Sequence, residues 1–177
     1  MRLITGLLLA ALISPLAQAE LIDEINDRGE LRIAVQTDNA PYAFKKDEQL
    51  TGFDIEFGQE LARELDVRAQ FVEAPADEVL PGVQSGMYDI ALTPVASQSA
   101  SQGALDLSQP FAEKTLVIPF QKDNPAFESA LNNALQRLED SGRTAELEHK
   151  WLDPETKAET APSVTPAPAE PPPAPAH

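Results

Sequence analysis

GFDIEFGQELARELDVRAQFVE, Gly52 to Glu73, is the stretch whose reading decides the fold. Gly52 breaks the chain. Phe53, Phe57, Leu61 and Leu65 then recur every fourth residue, which is one stripe of an amphipathic helix. Val67 to Glu73 follows as a strand. Upstream, Leu21, Ile22 and Ile25 line a short helix that Gly29 stops, and Leu31 to Val35 reads as a strand. Asp38 to Gln49 between them reads as a polar loop holding Pro41, Tyr42 and Phe44. Downstream, Asp77 to Gln84 reads as a short helix closed by Gly86, and Tyr88 to Leu92 as a third strand. Thr115 to Phe120 is a fourth apolar run, in which Pro119 marks an edge or a bend. Asn124 stands as an N-cap with Pro125 at the first helical position. Phe127, Leu131, Leu135 and Leu138 form that helix's buried stripe, and Gly142 ends it. Arg143 to Leu152 is a last helix with Leu147 and Trp151 one turn apart.

Strands alternating with helices build βαβ crossovers. The fold class is therefore α/β, a mostly parallel sheet with helices on both faces. Ligands of such sheets sit beyond the carboxyl ends of the strands, at a topological switch point. Those ends are Gln36 to Phe44, Glu73 to Asp77, and Thr93 to Ser101.

Composition bounds the rest. Met1-Arg2, the apolar run Leu3 to Leu16 and the small-x-small site Ala17-Gln18-Ala19 read as a cleavable secretory signal over residues 1–19. The alternative is an uncleaved anchor helix. There is no cysteine, which excludes a lipoprotein anchor, disulfides, thiolate metal sites and a cysteine nucleophile. The expected home is the bacterial periplasm, without membrane insertion once the signal is removed. A net charge of −16 argues against nucleic acid, which needs a basic patch. Residues 153–177 hold half of the sixteen prolines, with Ala, Glu and Thr between them. Such a segment buries too little to fold and is expected as disordered polyproline II, about 75 Å long at full stretch. It serves as a spacer or as a docking tail. Residues 20–152 remain as one globular domain.

The chain resembles the periplasmic solute-binding proteins of family 3, receptors for polar amino acids in ABC transport. Five segments carry the likeness: LIDEINDRGELRIAVQTDNAPYAF, LTGFDIEFGQELARELDV, VLPGVQSGMYDIAL, LDLSQPF, and NPAFESALNNALQRLEDSGRTAELEHKWL. The resemblance implies the type II periplasmic binding protein fold, two lobes closing on a solute. Here Phe111 is followed only by AEKTLVIPFQKD before the returning helix, so a single lobe is expected. The resemblance also implies an arginine, holding the solute carboxylate, at the position of Ser101. No residue from Thr93 to Phe111 is basic. A bidentate guanidinium suits a carboxylate, and a serine hydroxyl cannot replace that charge.

The candidate ligand-binding residues are Asp38, Tyr42, Phe44, Thr93 and Ser101. Tyr42 and Phe44 match the family's aromatic platform; the alternative is packing of the loop onto the sheet. Asp38 pairs with a solute ammonium or forms a turn before Pro41. Thr93, Ser97, Ser99 and Ser101 line a neutral hydrogen-bonding site or simply make a flexible loop. Asp54 and Asp106 read as structural, one beside a helix start and one as a loop cap. Nothing points to a cofactor or a metal. The two histidines, His149 and His177, do not form a catalytic pair, and no G-x-S-x-G, H-E-x-x-H or phosphate loop occurs.

Two functions follow. One is a periplasmic receptor for a small polar solute such as an amino acid, with a reduced site, serving an ABC permease or a sensor and completed by a protein that supplies the missing lobe. The other is an interaction module whose former cleft docks a protein or envelope component. Its exposed face, including Tyr42, Phe44 and Phe111, would also drive a homodimer. An enzyme is disfavoured because the loop offers no titratable pair.

Overall fold

The computed structural model describes residues 20–92, 103–112 and 116–153. Helix α1 (Leu21–Arg28) leads through Gly29, held at φ 69°, into strand β1 (Glu30–Val35). Strands β2 (Asp38–Asn39), β3 (Ala43–Lys46) and β4 (Gln49–Thr51) follow, then α2 (Phe53–Glu64), β5 (Arg68–Glu73), α3 (Ala76–Gln84) and β6 (Ile90–Leu92). Strands β7 (Leu105–Leu107) and β8 (Pro119–Gln121) precede the last helices, α4 (Pro125–Asp140) and α5 (Arg143–Trp151).

The main sheet has the order β5-β1-β6-β8-β7. β1 runs parallel to both β5 and β6, while β8 runs antiparallel to β6 and β7. The βαβ reading of Gly52 to Glu73 therefore holds, with α2 as the crossover between β1 and its outer neighbour. Alternation along β1 separates two apolar layers. Leu31, Ile33 and Val35 face α1, α2, α4 and α5; Ala34 faces α3, with Val79, Val83 and Tyr88. Helices cover both faces. The stripe of α2 is buried as expected, and Phe57 lies between Phe53 and Phe111, with ring centroids 5.5 and 4.6 Å apart.

Several expectations change. Asp38 to Gln49 is not a loop. It belongs to a small antiparallel sheet, β2-β3-β4, in which Phe44 pairs with Asp38 on one side and Thr51 on the other. Its β3–β4 turn is Asp47-Glu48, both at positive φ (50° and 65°), a geometry usually signalled by Asn-Gly. The fourth run pairs only from Pro119, and Thr115 lies outside the described residues. Pro119 marks neither a bend nor an edge strand. It opens β8, an interior strand, where its missing N–H falls at the strand's first residue. β7 was not visible in the sequence at all.

Asn124 occupies the N-cap position of α4, yet its side chain caps another helix. Its Oδ1 accepts the Leu21 N–H of α1 at 2.8 Å, while Glu20 Oε2 accepts the Ala126 N–H of α4 at 2.8 Å. The two helix starts satisfy each other's orphan donors, which ties the first helix of the domain to the returning one.

Candidate functional site

Because β1, β5 and β6 are parallel, their carboxyl ends at Val35, Glu73 and Leu92 lie on one edge of the sheet. The chain leaves β1 for β5 on one side and returns to β6 on the other, so the switch point lies at β1. The β2–β4 hairpin and the start of α2 stand over this edge.

Gly52 joins the two. Its φ of 123° is open to glycine, and a Cβ there would come within 2.3 Å of the Tyr42 carbonyl oxygen. This close approach lets the Phe53 N–H donate to the Pro41 carbonyl at 3.0 Å and the Asp54 N–H donate to the Tyr42 carbonyl at 2.8 Å. The first orphan donors of α2 are thus used up by the hairpin.

The aromatic pair divides. Tyr42 is half-buried, edge-on to Phe53 with centroids 6.3 Å apart. Burial, and then the nearby Asp54 carboxyl, raises its phenol pKa. Phe44 is also half-buried, but it packs edge-on against Trp151 of α5 at 6.0 Å. Asp38 is exposed on β2, with no side-chain hydrogen bond or ion pair among the described residues. Lys45 pairs with Glu73 at 2.8 Å, beside the end of β5. Thr93 and Ser101 lie outside the described residues. Phe111 is 2% exposed beneath Phe57 and contributes to no surface patch. Among the described residues the one large exposed hydrophobic side chain is Met87.

Two buried aspartates stand out. Asp89 is fully buried at the amino end of β6 and held by Arg28 and Arg32, with Arg32 Nη2 at 2.7 Å. Asp54, read as a helix-start residue, is 4% exposed and its carboxyl has no hydrogen bond or ion pair among the described residues. Desolvation lifts its pKa to about 7. The signal in the sequence was its spacing: Asp54 stands one turn before Gly58 on the buried face of α2. Asp106 keeps its structural role, accepting the Asp123 N–H at 3.2 Å.

A surface cleft of about 730 Å³ lies at the other end of the sheet, between the starts of α1 and α4. Its helix N–H groups are already engaged by Asn124 and Glu20. No cluster of three or more His, Asp or Glu side chains gathers for a metal among the described residues, and no described helix is long and apolar enough to cross a membrane. His149 is exposed, 3.8 Å from the Asp153 carboxylate.

The family model for bacterial extracellular solute-binding proteins, family 3, matches residues 31–154. A probable histidine-binding protein of Campylobacter jejuni is 26% identical over 107 residues, 60% of this chain and 42% of the relative. The L-cystine-binding protein TcyJ of Escherichia coli is 28% identical over 109 residues, 61% and 41% of the two chains. The chain thus spans about two fifths of the length of the curated relatives it matches. Among solved structures, the ancestral amino acid-binding protein AncCDT-1, a precursor of cyclohexadienyl dehydratase, superposes with a TM-score of 0.67 at 20% identity, covering 75% of this chain and 99% of that one. The arginine-bound form of domain 1 from TmArgBP superposes with a TM-score of 0.61 at 23% identity, covering 66% and 98%. These structural likenesses concern the fold, a periplasmic binding protein lobe. With more than half of its length matched by the family model, the chain belongs to the bacterial extracellular solute-binding proteins of family 3.

Proposed function

We propose that this chain is a periplasmic receptor reduced to one lobe, capturing a small polar solute for ABC transport or sensing. In this reading residues 1–19 are an export signal, 20–152 the lobe and 153–177 an extended tail. The observation that carries it is the edge where β1, β5 and β6 end together under a hairpin that holds Tyr42 half-buried against Phe53. A solute would lie on that edge with Tyr42 beside it. The names of the relatives, which bind histidine and cystine, support a small amino-acid-like solute. An arginine-bound single domain of TmArgBP supports capture by one lobe. One lobe covers less of a solute than a closed cleft, so binding is weak until a permease, a second chain or a second copy covers the other side.

The docking-module reading loses its main support, because Phe111 is in the core and Phe44 is packed on Trp151. Enzymatic activity is not proposed. An ancestral cyclohexadienyl dehydratase shares the fold, and a shared fold assigns no activity to this chain.

Calorimetry of the full chain with histidine, cystine, arginine and glutamine tests the reading. Saturable heat that disappears in Tyr42→Ala is expected. Silence across the panel, from a protein with the circular dichroism of a folded α/β domain, would end it.

A further inference from the structure

We propose that export processing completes this domain: cleavage between Ala19 and Glu20 leaves a new α-ammonium on Glu20, and the cleft between the starts of α1 and α4 is the seat of that ammonium. The proposal rests on reading residues 1–19 as an export signal. It goes beyond the solute reading, whose site lies at the other end of the sheet.

Glu20 is fixed in place from several sides. Its carbonyl accepts the Asp23 and Glu24 N–H groups at 2.9 and 3.3 Å, which starts α1. Its carboxylate accepts the Ala126 N–H of α4 at 2.8 Å. The next N–H along the chain, that of Leu21, donates to Asn124 Oδ1 at 2.8 Å. Asn124 is held in turn, its Nδ2 donating to the Gln121 and Lys122 carbonyls at 3.1 and 2.8 Å. The residue after the proposed scissile bond is therefore tied to two helices, and it lines the cleft between them.

The charges of the cleft suit a cation. Glu20, Glu24 and Asp123 line it together with Lys122, three carboxylates against one ammonium. The side chains of Glu24, Asp123 and Lys122 make no hydrogen bond or ion pair among the described residues. Asp23 adds an acid in the first turn of α1, and Glu128 one in the first turn of α4. The Leu21 and Ala126 N–H groups are already engaged by Asn124 and Glu20, so Glu24 and Asp123 are not needed as their caps.

An independent observation says which cation arrives. Ala17-Gln18-Ala19 is a small-x-small processing site that ends directly before Glu20. Hydrolysis by a signal peptidase adds one water across the Ala19–Glu20 amide. The Ala19 carbonyl carbon gains the hydroxyl and gives up a proton as a carboxylate; the Glu20 nitrogen gains the hydrogen and then that proton as an ammonium. A neutral amide nitrogen so becomes a cation at a helix start, where the positive end of the macrodipole ordinarily disfavours it. Carboxylates nearby reverse that balance, and Glu24 and Asp123 supply them from both sides of the cleft.

The test uses the processed protein purified from the periplasm. Intact mass reads its first residue, expected to be Glu20. Trace acetylation across a range of pH, read at Glu20 by peptide mass spectrometry, gives the titration midpoint of the α-amine. An ordinary α-amine titrates near about pH 8, and a midpoint of about 9 is expected here. Glu24→Gln and Asp123→Asn should each return it toward 8, Lys122→Gln should raise it, and 1 M salt should erase most of the shift. A folded-state pKa raised above the unfolded one stabilises below about pH 8, and that gain is lost as pH rises through about 9. Transamination of the α-amine with pyridoxal phosphate, which turns it into a carbonyl and spares the lysines, should therefore lower Tm by about 3–5 °C at neutral pH and leave it unchanged near pH 10. A wild-type midpoint near 8 that Glu24→Gln, Asp123→Asn and Lys122→Gln all leave in place overturns the proposal, and the wild-type value stands even if a variant fails to fold. A first residue other than Glu20 overturns it together with the 1–19 boundary. Solute calorimetry is read separately, so the receptor reading survives either result.

Discussion

Two aspartates are buried in this domain, at opposite edges of the same sheet, and the structure treats them in opposite ways. Asp89, at the amino end of β6, accepts from Arg28 and Arg32 and from the Arg32 backbone N–H at 2.7 Å. Asp54, above the carboxyl ends, has no hydrogen bond or ion pair among the described residues. The amino-end edge is built to be finished on folding. The carboxyl-end edge is left unfinished, at a cost, where the family's solutes are expected. A protein carries such a local cost when the site has work to do.

The comparison is broken most directly at Asp89. Asp89→Ala removes the acceptor of two guanidinium groups that are themselves only about a quarter exposed, at 29% and 25%. Losing one partner of a buried ion pair costs about 3–5 kcal/mol. The loss should appear as a lower urea midpoint with an unchanged slope. A loss under about 1 kcal/mol, the range of exposed pairs, would show that Asp89 is no more structural than a surface acid.

Asp54 should behave with the opposite sign. Its folded pKa of about 7 stands above the ordinary 3.8. Between about pH 4 and pH 7 the folded state keeps a proton that the unfolded chain gives up. Stability from this group therefore falls as pH rises through that window and is lowest above it. Asp54→Asn removes the titration. The variant should match the wild type near pH 4 and exceed it above pH 7, by on the order of 2–4 kcal/mol at most. Thermal melts of both proteins across that range, compared as a difference, separate Asp54 from the many other acids. A variant less stable than wild type at pH 8 would mean that Asp54 has a partner when ionised.

The two aspartates also mark how far the sequence could be read. Period-four apolar spacing showed α2 and its crossover because burial of Phe53, Phe57, Leu61 and Leu65 is a local pattern. Gly29 and Gly142 punctuated helices because left-handed backbone is a local demand. What escaped were features defined by distant partners. The β2–β4 hairpin turns on Asp47-Glu48 without a glycine, and β7 exists only through its pairing with β8. Asn124 looked like a cap for its own helix and caps α1. Phe44 looked like half of a ligand platform, but the Trp151 ring it packs against comes from the other end of the domain. Asp54 looked like an ordinary acid in a first helical turn. Its isolation emerges only when the sheet beneath it and the carbonyls above it are both in place.

The smallest expected effect sharpens the contrast from outside the core. Glu56, Glu60 and Glu64 recur every fourth residue on α2 and meet Lys150 at 2.6 Å, Arg143 at 3.0 Å and Arg137 on the returning helices. Lys150 is 56% exposed and Glu56 27%, so water competes for both charges. Lys150→Gln should cost only about 0.2–1 kcal/mol, and the cost should fade in 1 M salt, where the screening length shrinks to about 3 Å. The cost of Asp89→Ala should persist in the same salt, because a buried pair is screened far less. Equal salt sensitivity in the two variants would place Arg28 and Arg32 in solvent and remove the distinction between a finished edge and an open one. A loss that stays salt-insensitive at Asp89 alone would confine the sheet's rigid electrostatic anchor to its amino edge, leaving the carboxyl edge free to answer to a ligand.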